Sequence, residues 1–301
     1  MLAPDSRDMR DLEGAGEEPE GFSVVLPALD EEGGLAATLD ALRAALAGTA
    51  RPHEIIVVDD GSRDATPRIL AAQADVTVLR HPATRGYGAA LKSGIAAARH
   101  PLVVVMDADG TYTAAAIPSL VEGCAGADMM VGARTGAQVH ASPARSIAKW
   151  GFRQFAQWIT GQRIPDLNSG LRVFRRGLAQ RYLDVLPDGF SFTTTITVAA
   201  LAERFAVRFA SIDYLPRIGR SKVRPIQDTL RIARQLVRLG LRFAPLRTSM
   251  ALALPLVVGG GAALVCRHGA IGLAALAGGA AAVALGARAE QEARRRREPA
   301  L

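Results

Sequence analysis

Between residue 22 and about residue 132, short runs of branched apolar residues alternate with stretches whose apolar positions recur every three to four residues. The runs predict strands buried on both faces, the stretches predict amphipathic helices, and the alternation predicts βαβ units in a mostly parallel α/β sheet. Strands are expected at Phe22–Leu26, Glu54–Val58, Val76–Leu79, Leu102–Met106 and Met129–Val131. Helices are expected near 31–47, 64–74, 87–99 and 114–125. From 133 to 224 the pattern is mixed, with helices expected over 143–160 and 194–205 and a strand over Val207–Ile212.

The C-terminal third has a different pattern. Over 225–243, Arg231, Arg234, Arg238 and Arg242 share one helical face, while Ile232, Leu236, Leu239 and Phe243 form an apolar row elsewhere. A solvated helix packed on a core fits this pattern; a helix at a bilayer surface fits it too and suits the apolar segments that follow. Those segments, Ser249–Cys266 and Gly269–Ala287, carry no charge apart from the intervening Arg267-His268. Each is barely long enough to cross roughly 30 Å of hydrocarbon. Gly259-Gly260-Gly261 and Gly278-Gly279 are the expected close helix contacts. A soluble Ala-rich hairpin is the competing reading. Arg242 and Arg247 precede the hairpin and Arg294–Arg297 follow it, so positive-inside reasoning puts both ends in the cytosol.

The expected organisation is therefore a disordered acidic tail at 1–20, a catalytic α/β domain at 21–224, a basic interfacial amphipathic helix at 225–247, two transmembrane helices within 248–287 and a basic cytosolic tail at 288–301. The acidic start has no apolar segment of signal-peptide type. A multi-pass protein of the inner membrane with a cytosolic catalytic domain follows.

Composition sharpens this picture in two places. Hydrophobic residues make up 49% but aromatics only 5%, so Ala, Leu and Val must build the core. The net charge of +7 comes almost wholly from arginine, Lys92, Lys149 and Lys222 being the only lysines. Such a balance suits nucleic acid, a membrane surface or an anionic substrate. No nucleic-acid module or aromatic-interleaved basic stripe is present, which favours the last two. Cys124 and Cys266 fall in segments of very different character, and no disulfide is expected between them.

The candidate chemistry lies at strand ends. Asp107-Ala108-Asp109 closes the run Leu102–Met106, and Asp59-Asp60-Gly61-Ser62 closes Ile55–Val58. Carboxylates there project into the crevice where open α/β sheets bind ligands. Hard oxygen donors at that place suit Mg²⁺ or Mn²⁺ bridging a diphosphate, and two acidic strand ends in consecutive βα units point to a nucleotide-sugar site.

At the level of motifs the chain resembles the family 2 glycosyltransferases of GT-A, Rossmann-like fold. Val24–Glu32 is similar to their opening motif, Asp59–Thr66 to the second, and Asp107–Asp109 to the metal motif. Asp166-Leu167-Asn168-Ser169-Gly170-Leu171-Arg172 and Gly219-Arg220-Ser221-Lys222 resemble the branch that transfers sugar to a polyprenyl phosphate, such as dolichyl-phosphate mannose synthase and its bacterial relatives. The resemblance implies that Pro27, Leu29 and Glu31 line the nucleoside pocket while Val58 and Asp60 close on base and ribose. Asp107, Ala108 and Asp109 would hold the donor, with Asp107, Asp109 and Thr111 around the metal. Arg217 and Lys222 would close over the diphosphate. Asp109 and Arg134 are the expected catalytic residues, and Arg134, Arg145 and Arg172 the acceptor-phosphate contacts. Pro27 also fits a plain strand end, and Glu31 an acid at a helix start.

Three positions depart from the family pattern. Asp30 replaces the common Asn, Thr111 stands where Gln is frequent, and the Arg217–Lys222 spacing is one residue short. The implied reaction is inverting transfer of a hexose from a UDP- or GDP-sugar to a polyprenyl phosphate at the cytosolic face. A phosphate monoester is already largely ionised at neutral pH, its second pKa being about 6, so the site must supply cations rather than a strong base. The implied partners are the nucleotide sugar, the polyprenyl phosphate and the bilayer, without nucleic acid; self-association stays open. Trp150, Phe152, Phe155 and Trp158 on the helix near 143–160 fit either an interfacial contact or a buried cluster. The alternatives are another membrane-lipid acceptor, or a noncatalytic nucleotide-sugar-binding membrane scaffold. Gly86-Tyr87-Gly88 is only a fragment of a dinucleotide-binding motif.

Overall fold

The computed structural model describes residues 21–135, 143–216, 225–266 and 269–297. Its centre is a seven-stranded sheet of order β3-β2-β1-β4-β6-β5-β7, with β1 Phe22–Ala28, β2 His53–Asp59, β3 Val76–Arg80, β4 Leu102–Val105, β5 Met129–Arg134, β6 Arg172–Arg175 and β7 Val207–Ile212. All strands run one way except β6, which pairs antiparallel with both β4 and β5. The mostly parallel α/β expectation holds. The pattern reading had no β6, because four residues with arginine at both ends carry no apolar run.

Every residue of β4 is buried, as a central strand covered on both faces requires. Alternation along β1 sorts the core into two layers. Val24 and Leu26 face α1 Leu35–Leu46, α2 Thr66–Ala71 and α4 Ile117–Gly123. Val25 faces the other layer: α3 Tyr87–Ala97, α5 Pro143–Thr160, α6 Arg176–Arg181, α7 Phe192–Ala202 and α8 Pro225–Phe243.

Helix α8 has the expected limits, but its apolar row serves the protein itself. Leu236, Leu239 and Phe243 are buried in the layer beside α5 and α7. Its outward side carries the arginines together with exposed Leu230 and Leu241. The aromatic helix α5 divides in the same way: Phe152 and Phe155 pack on the core, while Trp150 and Trp158 are exposed. The indole of Trp158 donates to the Arg247 carbonyl (2.8 Å).

Arg247 lies in the first turn of α9, Pro245–Val265, which pairs with α10, Gly269–Arg297. Both helices are long and apolar enough to cross a membrane. Their leucines and valines, among them Leu252, Leu254, Leu256, Val258, Leu273 and Leu285, face outward. The helices meet through small residues: a Cβ on Gly260 would lie 2.9 Å from the Gly272 carbonyl oxygen, and one on Gly279 2.9 Å from Val257. Gly259 and Gly261 face open space. The second helix starts where expected but runs on through Arg288 to Arg297. The tail at 1–20 and the Arg267-His268 connection lie outside the described residues.

Candidate active site

Strand β1 lies between β2 and β4, so the chain leaves their carboxyl ends in opposite directions and opens a crevice. Two loops fill one side of it by capping each other. The Asp30 amide donates to Ser62 Oγ (2.9 Å), Glu31 to Thr66 Oγ1 (2.8 Å) and Glu32 to Asp64 Oδ2 (3.0 Å). In return the Arg63 amide donates to Asp30 Oδ1 (2.8 Å) and that of Ala65 to Glu32 Oε2 (2.8 Å). Asp30 has φ +46°, a conformation Asp and Asn tolerate better than most residues, so Asp in place of Asn costs little here.

The result is a cavity of about 440 Å³. Of the expected residues, Pro27, Leu29, Glu31, Asp60, Asp107, Ala108, Asp109 and Arg134 line it. Asp60 is gripped by the amides of Arg85 (2.9 Å) and Gly86 (2.8 Å) and by His81 Nδ1 (2.6 Å), which aim it at the cavity. Its neighbour Asp59 turns away and accepts from the Ser62 amide (2.8 Å). Asp109 Oδ1 accepts from the amide (3.1 Å) and hydroxyl (2.6 Å) of Thr111. Thr111 is fully buried behind the carboxylate and does not line the cavity. Asp107 Oδ1 accepts from the Tyr87 hydroxyl (2.9 Å), and a Cβ on Gly170 would press to 2.6 Å from its Oδ2. A side chain at 170 would therefore push the Asp107 carboxylate out of place.

On the far wall Arg134 grips Asp166 with two parallel bonds, Nε–Oδ2 2.7 Å and Nη2–Oδ1 2.9 Å. Its guanidinium also lies over the Tyr214 ring, 5.2 Å from the centroid. Burial would raise the Asp166 carboxyl, but Arg134 and two backbone amides override it and hold the group below the usual carboxylate range. Burial would likewise lower Arg134, yet Asp166 keeps it firmly charged.

Two expected site residues lie elsewhere. Val58 is wholly buried in the core, its side chain facing Gly94 of α3. Arg172 is also wholly buried, donating to the carbonyls of Ser169 and Thr193 and to Thr197 Oγ1. Burial pushes its guanidinium down to about 10. It positions the Asn168–Gly170 loop from behind rather than facing a phosphate. Arg217, Lys222 and the side chain of Arg145 lie outside the described residues.

The pattern reading did not pick out as site residues Tyr87, Tyr112, Phe190 and Tyr214, the aromatic part of the lining. Tyr87 and Phe190 stack at 5.5 Å, and the Tyr112 hydroxyl accepts from the Gly170 amide (2.6 Å). The overlooked signal is Gly86-Tyr87-Gly88. Gly86 has φ +113°, and a Cβ at Gly88 would collide with the Pro187 carbonyl oxygen, so both glycines let residues 187–189 approach and set Tyr87 in place.

A nucleotide-sized cavity with paired carboxylates at the sheet's carboxyl ends belongs with a sequence comparison that agrees. The family model described as Glycosyl transferase family 2 matches residues 23–183. The chain belongs to glycosyl transferase family 2. This family 2 chain is 35% identical over 214 residues to an uncharacterised glycosyltransferase of Mycobacterium tuberculosis, covering 68% of this chain and 90% of that one. It is 29% identical over 219 residues to a low-salt glycan biosynthesis hexosyltransferase of Haloferax volcanii, covering 71% of this chain. It spans about half that relative's length, 52%. A dolichyl-phosphate beta-glucosyltransferase of Dictyostelium discoideum is 26% identical over 250 residues, 74% of each chain. Among solved structures, glucosyl-3-phosphoglycerate synthase of Mycobacterium tuberculosis, in complex with Mn²⁺, UDP and glucosyl-3-phosphoglycerate, superposes with a TM-score of 0.54 at 24% identity. The match covers 74% of this chain and 79% of that one, a likeness of fold.

Proposed function

We propose that this protein is a membrane-bound glycosyltransferase that moves a hexose, with inversion, from a UDP- or GDP-sugar to a polyprenyl phosphate at the cytosolic membrane face. One observation carries the reading: Asp107, Asp109 and the Arg134–Asp166 pair converge on one cavity in a chain that ends in an outwardly apolar hairpin. The similarity to a relative named for a dolichyl-phosphate acceptor supports the acceptor class.

The donor set suits Mg²⁺ or Mn²⁺. Asp107 and Asp109 supply hard oxygens into the cavity, and such ions are commonly held by one or two carboxylates together with substrate phosphates. When bound, the ion would neutralise charge on the leaving diphosphate. The protein's own groups do the rest. Pro27, Leu29, Glu31 and Asp60 hold the nucleoside, and Arg134 places a fixed positive charge on the wall opposite the carboxylates. A lipid phosphate oxygen forms the new bond to the anomeric carbon as the bond to the nucleoside diphosphate breaks, the electron pair leaving with the diphosphate. The acceptor is already ionised, so no side-chain base is needed.

The test uses membranes containing the protein, undecaprenyl phosphate, Mn²⁺ or Mg²⁺ and radiolabelled UDP- and GDP-sugars. Metal-dependent label in the organic phase, lowered by about 10²–10³-fold or more in Asp109→Ala, is the expected outcome. No labelled lipid from any donor, with the fold intact, would sink the acceptor assignment. The membrane topology has its own check. Cys266 is exposed at the hairpin's turn, whereas Cys124 is buried and burial pushes its thiol up to about 11. An impermeant maleimide applied to intact cells should label Cys266 alone. Labelling only after the cells are opened would invert the orientation.

A further inference from the structure

His81 follows directly on β3 and opens the connection to α3. It is buried, and both of its ring nitrogens are engaged: Nδ1 lies 2.6 Å from Asp60 Oδ1, and Nε2 lies 2.9 Å from Ser93 Oγ on α3. The two oxygens of Asp60 each accept a backbone amide, Oδ1 from Arg85 (2.9 Å) and Oδ2 from Gly86 (2.8 Å), the arrangement of an ionised carboxylate. Such a group only accepts, so His81 Nδ1 carries the hydrogen of their bond. In the neutral ring Nε2 is then an acceptor, which the Ser93 hydroxyl satisfies. Ser93 thereby fixes the tautomer that Asp60 requires. Asp60 is as buried as His81 yet lines the donor cavity. A carboxylate has roughly four acceptor directions. Two on Oδ1 and one on Oδ2 are taken, which leaves one on Oδ2 for a hydrogen-bond donor in the cavity.

We propose that His81 is a positioning residue for the donor nucleotide: steadied by Ser93, it fixes the Asp60 carboxylate as the acceptor for an N–H of the base or a hydroxyl of the ribose. The inference rests on the nucleotide-sugar reading above. Two observations favour a part in binding over a part in the fold alone. The connection is already tied down by its backbone, through the Arg85 and Gly86 amides on Asp60 and the His81 amide on the Asp59 carbonyl (2.9 Å). What the imidazole adds is control of one carboxylate. Among the described residues it is also the side chain that holds Asp60, because the neighbouring cation, Arg80, pairs with Asp59 instead (3.2 Å). By placing a second partner on Oδ1, it confines the open acceptor direction to Oδ2.

The test measures binding of UDP and GDP to the full chain in detergent with Mn²⁺, alongside the denaturant midpoint of each variant. Asparagine and glutamine separate the two ring nitrogens, since the amide nitrogen of Asn falls near Nδ1 and that of Gln near Nε2. His81→Asn keeps the bond to Asp60 and should bind the nucleotide much as wild type does. His81→Gln reaches Ser93 but not Asp60 and should bind it about tenfold more weakly. The KM for the donor should rise in step while kcat at saturation holds, the pattern of lost ground-state binding. In an Asp60→Ala background His81→Gln should cost nothing further, because its effect passes through that carboxylate. Unchanged nucleotide binding in His81→Gln would overturn the proposal, as would losses that add to those of Asp60→Ala. Equal losses in the Asn and Gln variants that follow their midpoints would assign His81 to the fold and overturn it too. Wild-type protein that binds neither UDP nor GDP would remove the nucleotide reading and this inference with it. Nucleotide binding that drops in His81→Gln, joined to no labelled lipid from wild type, keeps the inference and drops only the acceptor.

Discussion

Arginine has two different lives in this molecule. Behind the donor cavity, Arg172 is sealed from water and donates to two carbonyls and a hydroxyl, its Nε without a hydrogen-bond partner, while Arg134 lies in the cavity wall with its guanidinium forked onto Asp166. Along the outer side of α8, Arg234 and Arg238 stand exposed around an open cavity. The interior pair hold loops in place at a desolvation cost that their hydrogen bonds offset. The exterior set keep their charge available to a ligand. A net charge of +7 thus says little by itself, and an arginine inside a sequence motif is not thereby an arginine that meets substrate.

If burial sets this division, breaking it should cost most at Arg172. Arg172→Ala strands the Ser169 and Thr193 carbonyls in the interior and should destabilise the protein by about 3 kcal/mol or more. A denaturant midpoint close to that of wild type would remove the contrast. Next comes Asp166→Asn, which leaves Arg134 charged without its fork partner and should lower kcat/KM by roughly 10- to 100-fold, about 1.4–2.7 kcal/mol. Its pH signature has a definite sign. The Asp166 carboxyl is held below its ordinary range, so its contribution is present above the unfolded value near about 4 and is lost as pH falls through the depressed native value. Acid titration of stability should therefore be shallower in the variant than in wild type below about pH 4. Parallel titrations would count against the pair.

Tyr87→Phe probes the wall of the donor cavity beside Asp107. It keeps the ring stacked on Phe190 and removes only the hydroxyl that holds Asp107. The Mn²⁺ concentration for half-maximal activity should rise about tenfold, the usual scale for an outer partner of a metal ligand. No change would assign Asp107 a role independent of metal.

Much of this was legible in the sequence, and the failures share one cause. Apolar runs ending in acids located β1, β2 and β4 and the carboxylates that line the cavity, because strand burial and strand-end chemistry are local properties. The limits of α5 and α8 followed from periodicity for the same reason. Strand β6 did not follow. Arg172 occupies a buried position opposite Val105 and Val131, and its reason to be there lies in carbonyls and a hydroxyl up to 25 residues further along. The Gly-Tyr-Gly segment was read against a local motif, although both glycines answer to residues 187–189, about a hundred positions on. Amphipathicity likewise revealed that α8 buries a face without revealing that α5 and α7 cover it.

The smallest effect should come from the last arginine of the α8 stripe. Arg242 is 2.9 Å from Asp184, with both side chains about half exposed (49% and 61%), and its guanidinium lies 5.6 Å from the centroid of the Phe243 ring. Water competes for both ions, and ordering two long side chains offsets most of the Coulomb gain, so such pairs contribute roughly 0–1 kcal/mol. Arg242→Ala in detergent should shift the denaturant midpoint by no more than that, and raising salt should shrink the difference further. A loss near the roughly 3 kcal/mol expected at Arg172 would mean that burial is not what separates the two sets. An unchanged midpoint in detergent joined to weaker retention in anionic vesicles would instead place Arg242 at the bilayer.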